Sequence, residues 1–254
     1  MDGICKAVLT AAVVWLVMGA VRHGGHRLAG VAAALPTITA PTLAWLAHEQ
    51  GVVFATQAAV ASVAACAMLA VFAMVYALLA QRGGAGRALV GGLAAAAALA
   101  WPVFAASAQL ADALVLALGC CAVAWYTIRR HGAHKGAQRD SRCSRACAAT
   151  AVGGITALTT TLGPLIGSFA AGLMASLPLI SGAVAVVEHS ASGPAAAARF
   201  LHGYVGGLFG KAAFGTVFAL LAAPIGAPWA LLWACASACA VPLLFAPSRT
   251  AAHA

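Results

Sequence analysis

The stretch VVFATQAAVASVAACAMLAVFAMVYALLA, Val52 to Ala80, runs for 29 residues without a charged side chain. A helix needs about 20 apolar residues to cross a bilayer, so this stretch is long enough to span one. Its apolar residues do not alternate with polar ones, as the roughly ten-residue strands of a membrane barrel would. The same texture continues outward over most of the 254 residues: 63% are hydrophobic and 7% charged, and the mean hydropathy is +0.97. Soluble domains are about 45–50% apolar and about 25% charged. With 14 Lys and Arg and five Asp and Glu, the chain cannot cover a water-facing surface with charge. The composition excludes a soluble enzyme, a secreted disulfide scaffold and a disordered chain. The expected fold is all-α, a polytopic membrane protein.

Nine crossings are expected. Their approximate bounds are Ala7–Val21, Leu28–Ala47, Val52–Ala80, Ala88–Ala105, Leu110–Ile128, Ala146–Leu162, Leu165–Val187, Ala195–Ala222 and Pro228–Phe245. The formal charge of +9 resides between these runs. Arg22 and Arg27, Arg82 and Arg87, and the basic segment Arg129–Arg145 fall on alternate connections. The connections near Gln50, Ser107, Gly163 and Ala227 carry no Lys or Arg. Cytoplasmic loops are enriched in basic residues, so the amino terminus is expected outside and the carboxy terminus inside. The basic residues therefore read as a topology signal, and no nucleic-acid partner is expected. The eight cysteines are scattered, several inside apolar runs, and act as small apolar packing residues.

Shifting the chain by 142 residues lays Leu35–Ala80 on Leu177–Ala222 without a gap, with 13 of 46 positions identical. Leu35-Pro36 falls on Leu177-Pro178, Ile38 on Ile180, Gly51 on Gly193, Phe72 on Phe214 and Tyr76-Ala-Leu-Leu on Phe218-Ala-Leu-Leu. Five crossings separate the copies, an odd number, so they enter the membrane from opposite sides. Inverted repeats are characteristic of secondary transporters. The expected organisation is a first membrane half (1–128, five helices), a basic cytoplasmic loop (129–145) and a second half (146–254, four helices).

The matched prolines mark the candidate site. Pro removes a backbone donor and clashes with the preceding turn, and in hydrocarbon the freed carbonyl must find another partner. Thr37, Thr39 and Thr42 near Pro36 and Pro41, and Ser181 near Pro178, offer hydroxyls. Pro-interrupted helices at corresponding places in two halves point to a midplane binding site. The plainer reading is a pair of kinked packing helices. Lys211 lies deep in the eighth span, where an ammonium is costly and faces a cavity or a partner. His202 shares its helix. The substrate-binding set is therefore Pro36, Thr37, Thr39, Pro178, Ser181 and Lys211. His48-Glu49 and Glu188-His189 end the two broken helices and form the coupling or gating set, with solvated helix ends as the alternative. Asp112 reads as interfacial. Gly203, Gly206, Gly207 and Gly210 let helices approach closely, within one chain rather than between two. Thr156, Thr159, Thr160 and Thr161 precede a tight re-entry at Gly163, Pro164 and Gly167.

The arrangement His131-x2-His134-x8-Cys143-x3-Cys147 has tetrahedral donors but matches no finger spacing and sits among cations. Cys235 and Cys239 share a helix face. No metal and no cofactor is expected. Phosphate loops, zinc-protease histidine pairs and nucleophile elbows are absent from the sequence, and no catalytic residue is assigned.

Leu35-Pro36, Pro41, Glu49-Gln50-Gly51, Phe54-Ala55, Ala58-Ala59, Phe72 and Tyr76-Ala77 resemble a motif in a group of uncharacterised bacterial inner-membrane proteins. The resemblance covers the first third of the chain. It implies a bacterial inner membrane and brings no substrate, cofactor or catalytic residue. The expected function is a small secondary transporter for a small, anionic solute, with the lipid bilayer and that solute or ion as partners and a homodimer as an option. The alternatives are a subunit or assembly factor of a membrane complex, and an integral-membrane enzyme acting on lipid-linked substrates.

Overall fold

The computed structural model describes residues 30–36, 39–131 and 179–244. A helical stretch at 30–34 precedes eight helices: α1 (Thr39–Glu49), α2 (Val52–Ala80), α3 (Ala85–Ala98), α4 (Ala100–Ala106), α5 (Leu110–His131), α6 (Leu179–Ser192), α7 (Pro194–Ile225) and α8 (Ala227–Leu244). Among the described residues every regular element is helical. Lipid offers no hydrogen bonds, so a spanning backbone must satisfy its own polar groups. Five segments are long and apolar enough to cross: Gly30–Glu49, Val52–Ala80, Ala85–Ala106, Leu110–Arg130 and Pro194–Ile225. Ala227–Pro242 is apolar but shorter. The expected crossings Ala7–Val21 and Ala146–Leu162 and the start of Leu165–Val187 lie outside the described residues. So do Thr37, Pro178, the threonines before Gly163, the basic loop beyond His131 and its His/Cys arrangement.

Proline sets two of the breaks. The chain bends at Leu35–Pro36 before α1 begins. The expected fourth span is two helices, parting at Leu99. Pro102 cannot donate to the carbonyl of Ala98, and its ring crowds that carbonyl, so α3 ends there.

The long helices α2 and α7 form the centre. In α2 every residue from Val63 to Ala70 is buried, more than two full turns, so the helix is enclosed on all sides over this stretch. Helices α3, α5 and α7 pack around it, and α6, α5 and α8 pack around α7. The two run antiparallel. Gly215 of α7 has Ala59 and Val63 of α2 against it, Lys211 stands near Cys66, and Tyr76 near the end of α2 meets His189 just before α7 begins. At about 1.5 Å per residue, both exceed the roughly 30 Å hydrocarbon layer and must tilt or protrude.

Two pairs of helix starts lie 142 residues apart. Val52 and Pro194 begin α2 and α7, and Ala85 and Ala227 begin α3 and α8. Gly51 and Gly193 join short helix to long helix at φ 89°, ψ 165° and φ 83°, ψ 175°, a region essentially reserved for glycine. Ala88, Gly92 and Ala96 are the buried residues of α3; their counterparts Ala230, Ala234 and Ala238 are buried in α8. Phe72 fills the space in front of Gly92 and Gly182, while Phe214 lies in a cluster with Ala234 that Ala40 packs against. Helix α1 packs on α8, and α6 on α3, so each short helix rests on the other segment's third helix. The correspondence continues beyond Ala80, since Gly84-Ala85 falls on Gly226-Ala227 and Ala88-Leu89 on Ala230-Leu231.

Candidate functional site

Two ends can be told apart. Arg82, Arg87, Arg129, Arg130 and Arg199, the arginines of the described residues, all lie where α2 and α5 end and α3 and α7 begin. Arg130 covers the ring of Tyr126 at 5.0 Å. At the opposite end, where α4 and α7 finish, Trp101 and Trp229 are 76% and 63% exposed. Trp favours the membrane–water boundary and arginine the cytoplasmic side. His48 and Glu49 are exposed at the Trp end, as is Asp112.

Helix α7 carries the middle of the site. Its glycines admit a different neighbour at each turn. A methyl at Gly207 would come 2.6 Å from the Ala34 side chain, one at Gly206 2.7 Å from Trp125, and one at Gly210 2.6 Å from the Ala238 carbonyl. That last carbonyl is the one Pro242 leaves without its helical donor. The close approaches are thus made within one chain. Between Ala34, which meets Gly207, and Leu43, which clusters with Phe214 and Phe218, lie the buried Pro36 and the half-buried Thr39. The bend therefore runs alongside the stretch of α7 that holds Lys211. From the other side Ser181, in the first turn of α6 and 3% exposed, hydrogen-bonds Tyr204, which is also close to Cys66 and Cys121. Both segments thus meet α7 between Tyr204 and Lys211.

Lys211 is half-buried. It lies about 25 Å along α7 from Pro194, beyond the reach of a snorkelling side chain. A cation at this depth costs about 2.5–3.5 kcal/mol on insertion scales, and its near neighbour is the Cys66 thiol. Cys66 lies near both Lys211 and Tyr204, and Tyr204 stands two turns, about 10 Å, before Lys211 on α7, so Ser181, Tyr204, Cys66 and Lys211 string hydrogen-bonding groups and one positive charge along this helix. Such a set can hold a small polar or anionic group. No cluster of three His, Cys, Asp or Glu occurs among the described residues.

The second set of expected residues separates by depth. Glu188 is 4% exposed and His189 half-buried, whereas Glu49 and His48 face outward. The structure adds Tyr76, fully buried on α2, whose ring stands edge-on to His189 with centroids 6.2 Å apart. Tyr76 Oη and His189 Nδ1 are buried without a hydrogen-bond partner among the described residues. Leaving such an atom unsatisfied costs about 1–3 kcal/mol. The aligned pair Tyr76 and Phe218 carried the signal in the sequence: the hydroxyl is the one difference in an otherwise matching motif. Tyr204 had no such marker, because its counterpart is Ser62.

Compared with family models, curated proteins and solved structures, the chain matches none of them.

Proposed function

We propose that the chain is a small secondary transporter of the bacterial inner membrane, moving a small anionic solute by alternating access between two inverted halves. The observation that carries this reading is the pair of antiparallel helix–Gly–helix units, Thr39–Ala80 and Leu179–Ile225, crossing beside Ser181, Tyr204 and Lys211. An inverted pair has two near-equivalent packings, and exchanging them exposes a central site first to one side and then to the other. Lys211 supplies the positive charge. Pro36, Thr39 and Ser181 frame the site from the two short segments, and Thr37 and Pro178 are assigned to the same set by sequence alone. Glu188 and His189 couple or gate at the arginine end, and Glu49 and His48 stand at the opposite mouth. The arginines mark the cytoplasmic side, with the amino terminus outside and the carboxy terminus inside.

The test is uptake by purified protein in proteoliposomes, using radiolabelled inorganic phosphate and a panel of small carboxylates as probes. The expected result is saturable uptake of at least one probe. Lys211→Met should lower it about tenfold or more, the loss of one charge-assisted contact. Uptake unchanged in Lys211→Met contradicts the site assignment, and absence of flux for every anion contradicts the substrate class.

A further inference from the structure

We propose that Tyr76, Glu188 and His189 form a proton-binding site at the arginine end of the bundle, built into one of the two related segments only. At the 142-residue offset, Tyr76 corresponds to Phe218, Glu188 to Leu46 and His189 to Ala47. Phe218 is a fully buried member of an apolar cluster, and Leu46 and Ala47 pack against that cluster. The aligned positions therefore carry apolar side chains in one segment, and in the other a phenol that meets an imidazole with a buried carboxylate next to it in sequence. The apolar corner demonstrates that the packing does not require polar groups. In the polar corner Tyr76 Oη and His189 Nδ1 are both buried without a hydrogen-bond partner among the described residues. Native proteins seldom leave such atoms unmatched without a bound group or a chemical role.

The chemistry of the three side chains selects the ligand. An imidazole nitrogen accepts a proton near neutral pH, and the buried Glu188 is the preceding residue on α6. The phenol both donates and accepts. Sodium prefers a shell of oxygens, and an imidazole nitrogen in the corner does not suit it. The ionisable groups on the surrounding elements are few. Tyr76 comes from α2, Arg82 from the turn after it, Arg87 from α3 and Arg199 from α7, and the three arginines are exposed. Because Ser181 pairs with Tyr204, His202, Tyr204 and Lys211 lie further along α7, toward the middle of the bundle. The arginines hold fixed charges, so the corner's own groups are the ones that change state.

The proposal rests on the transport reading for the use of the site but not for its existence, since binding is measured without a substrate or gradient. The experiment is a pH titration of the full-length protein in lipid nanodiscs. Histidine ¹⁵N spectra are followed from about pH 5 to about pH 9, and the His189 signal is assigned by its loss in His189→Gln. His189 should titrate within this window. Tyr76→Phe and Glu188→Gln should each shift its midpoint by about half a unit or more, a threefold change in proton affinity. Asp112→Asn, at the far end, should leave it in place, as should replacing potassium by sodium. Tyr76→Phe recreates the residue found at position 218 and is expected to fold; its thermal unfolding is checked against wild type. A His189 signal that stays in one protonation state overturns the proposal. So does a midpoint that neither variant moves, or one that sodium displaces. Uptake failing while His189 titrates as described would refute transport and leave the proton site standing.

Discussion

Single atoms decide how closely these helices approach. At Gly207 a side chain would have to displace Ala34 and the Val31 carbonyl, whereas at Gly119 nothing lies within 4 Å. Gly207→Leu should therefore destabilise the protein by about 1–3 kcal/mol through overpacking, read as a lower unfolding temperature in detergent. Gly119→Ala should raise it slightly through helix propensity. The two acids at the helix ends make a similar contrast. Glu188 is buried and Glu49 exposed. Glu188→Ala leaves the groups that face it unmatched and should cost about 1–3 kcal/mol, whereas Glu49→Ala should change stability by less than about 0.5 kcal/mol. Equal losses for both would contradict the depth assigned to them. Before the structure these acids looked alike, each beside a histidine at a helix end. Their difference comes from the neighbours: Glu188 lies on a helix packed between α3 and α7, while Glu49 ends a helix at the rim.

Among the elements, the junction glycines have the clearest consequence. Gly51, Gly193 and Gly226 adopt φ of 83–89°, and the first two pair with ψ near 170°. An alanine at Gly51 or Gly193 should cost about 1–3 kcal/mol. Gly84 is the counterpart of Gly226 but has φ −70°, so Gly84→Ala should be tolerated where Gly226→Ala is not. Thermal unfolding of the four variants measures this. Much of the helical plan was legible in the residues. The bounds Val52–Ala80 follow from the sequence, because Gly51 and the Arg82 turn bracket an unbroken apolar run. The split at Leu99 is not legible, because Pro102 sits near the end of an alanine-rich stretch that can carry it as a terminal residue. The repeat was followed to Ala80 and Ala222, where Gln81-Arg82 meets Ala223-Pro224. Beyond that mismatch the correspondence is carried by small residues, and only their burial in α3 and α8 distinguishes it from alanine-rich composition.

For the whole molecule, the account holds that two related segments lie in opposite directions across a bilayer and share a site between them. In the described residues α2 and α7 are antiparallel, and five arginines share one end. The site was only partly readable beforehand. Lys211 and Ser181 stand out as polar groups in apolar runs, but Ser181 reaches Tyr204 only because α6 folds back on α7, and Lys211 nears Cys66 only because α2 packs antiparallel to α7, neither of which any residue spacing encodes. The most direct measurement is sidedness of thiol labelling at an aligned pair. His48 and Ser190 are related by the offset and both are exposed. His48→Cys and Ser190→Cys are introduced separately into a cysteine-free background and treated with a membrane-impermeant maleimide, in right-side-out and in inverted vesicles. The account predicts that position 48 labels only from the outer face and position 190 only from the cytoplasmic face. Labelling of both positions from the same face would contradict it.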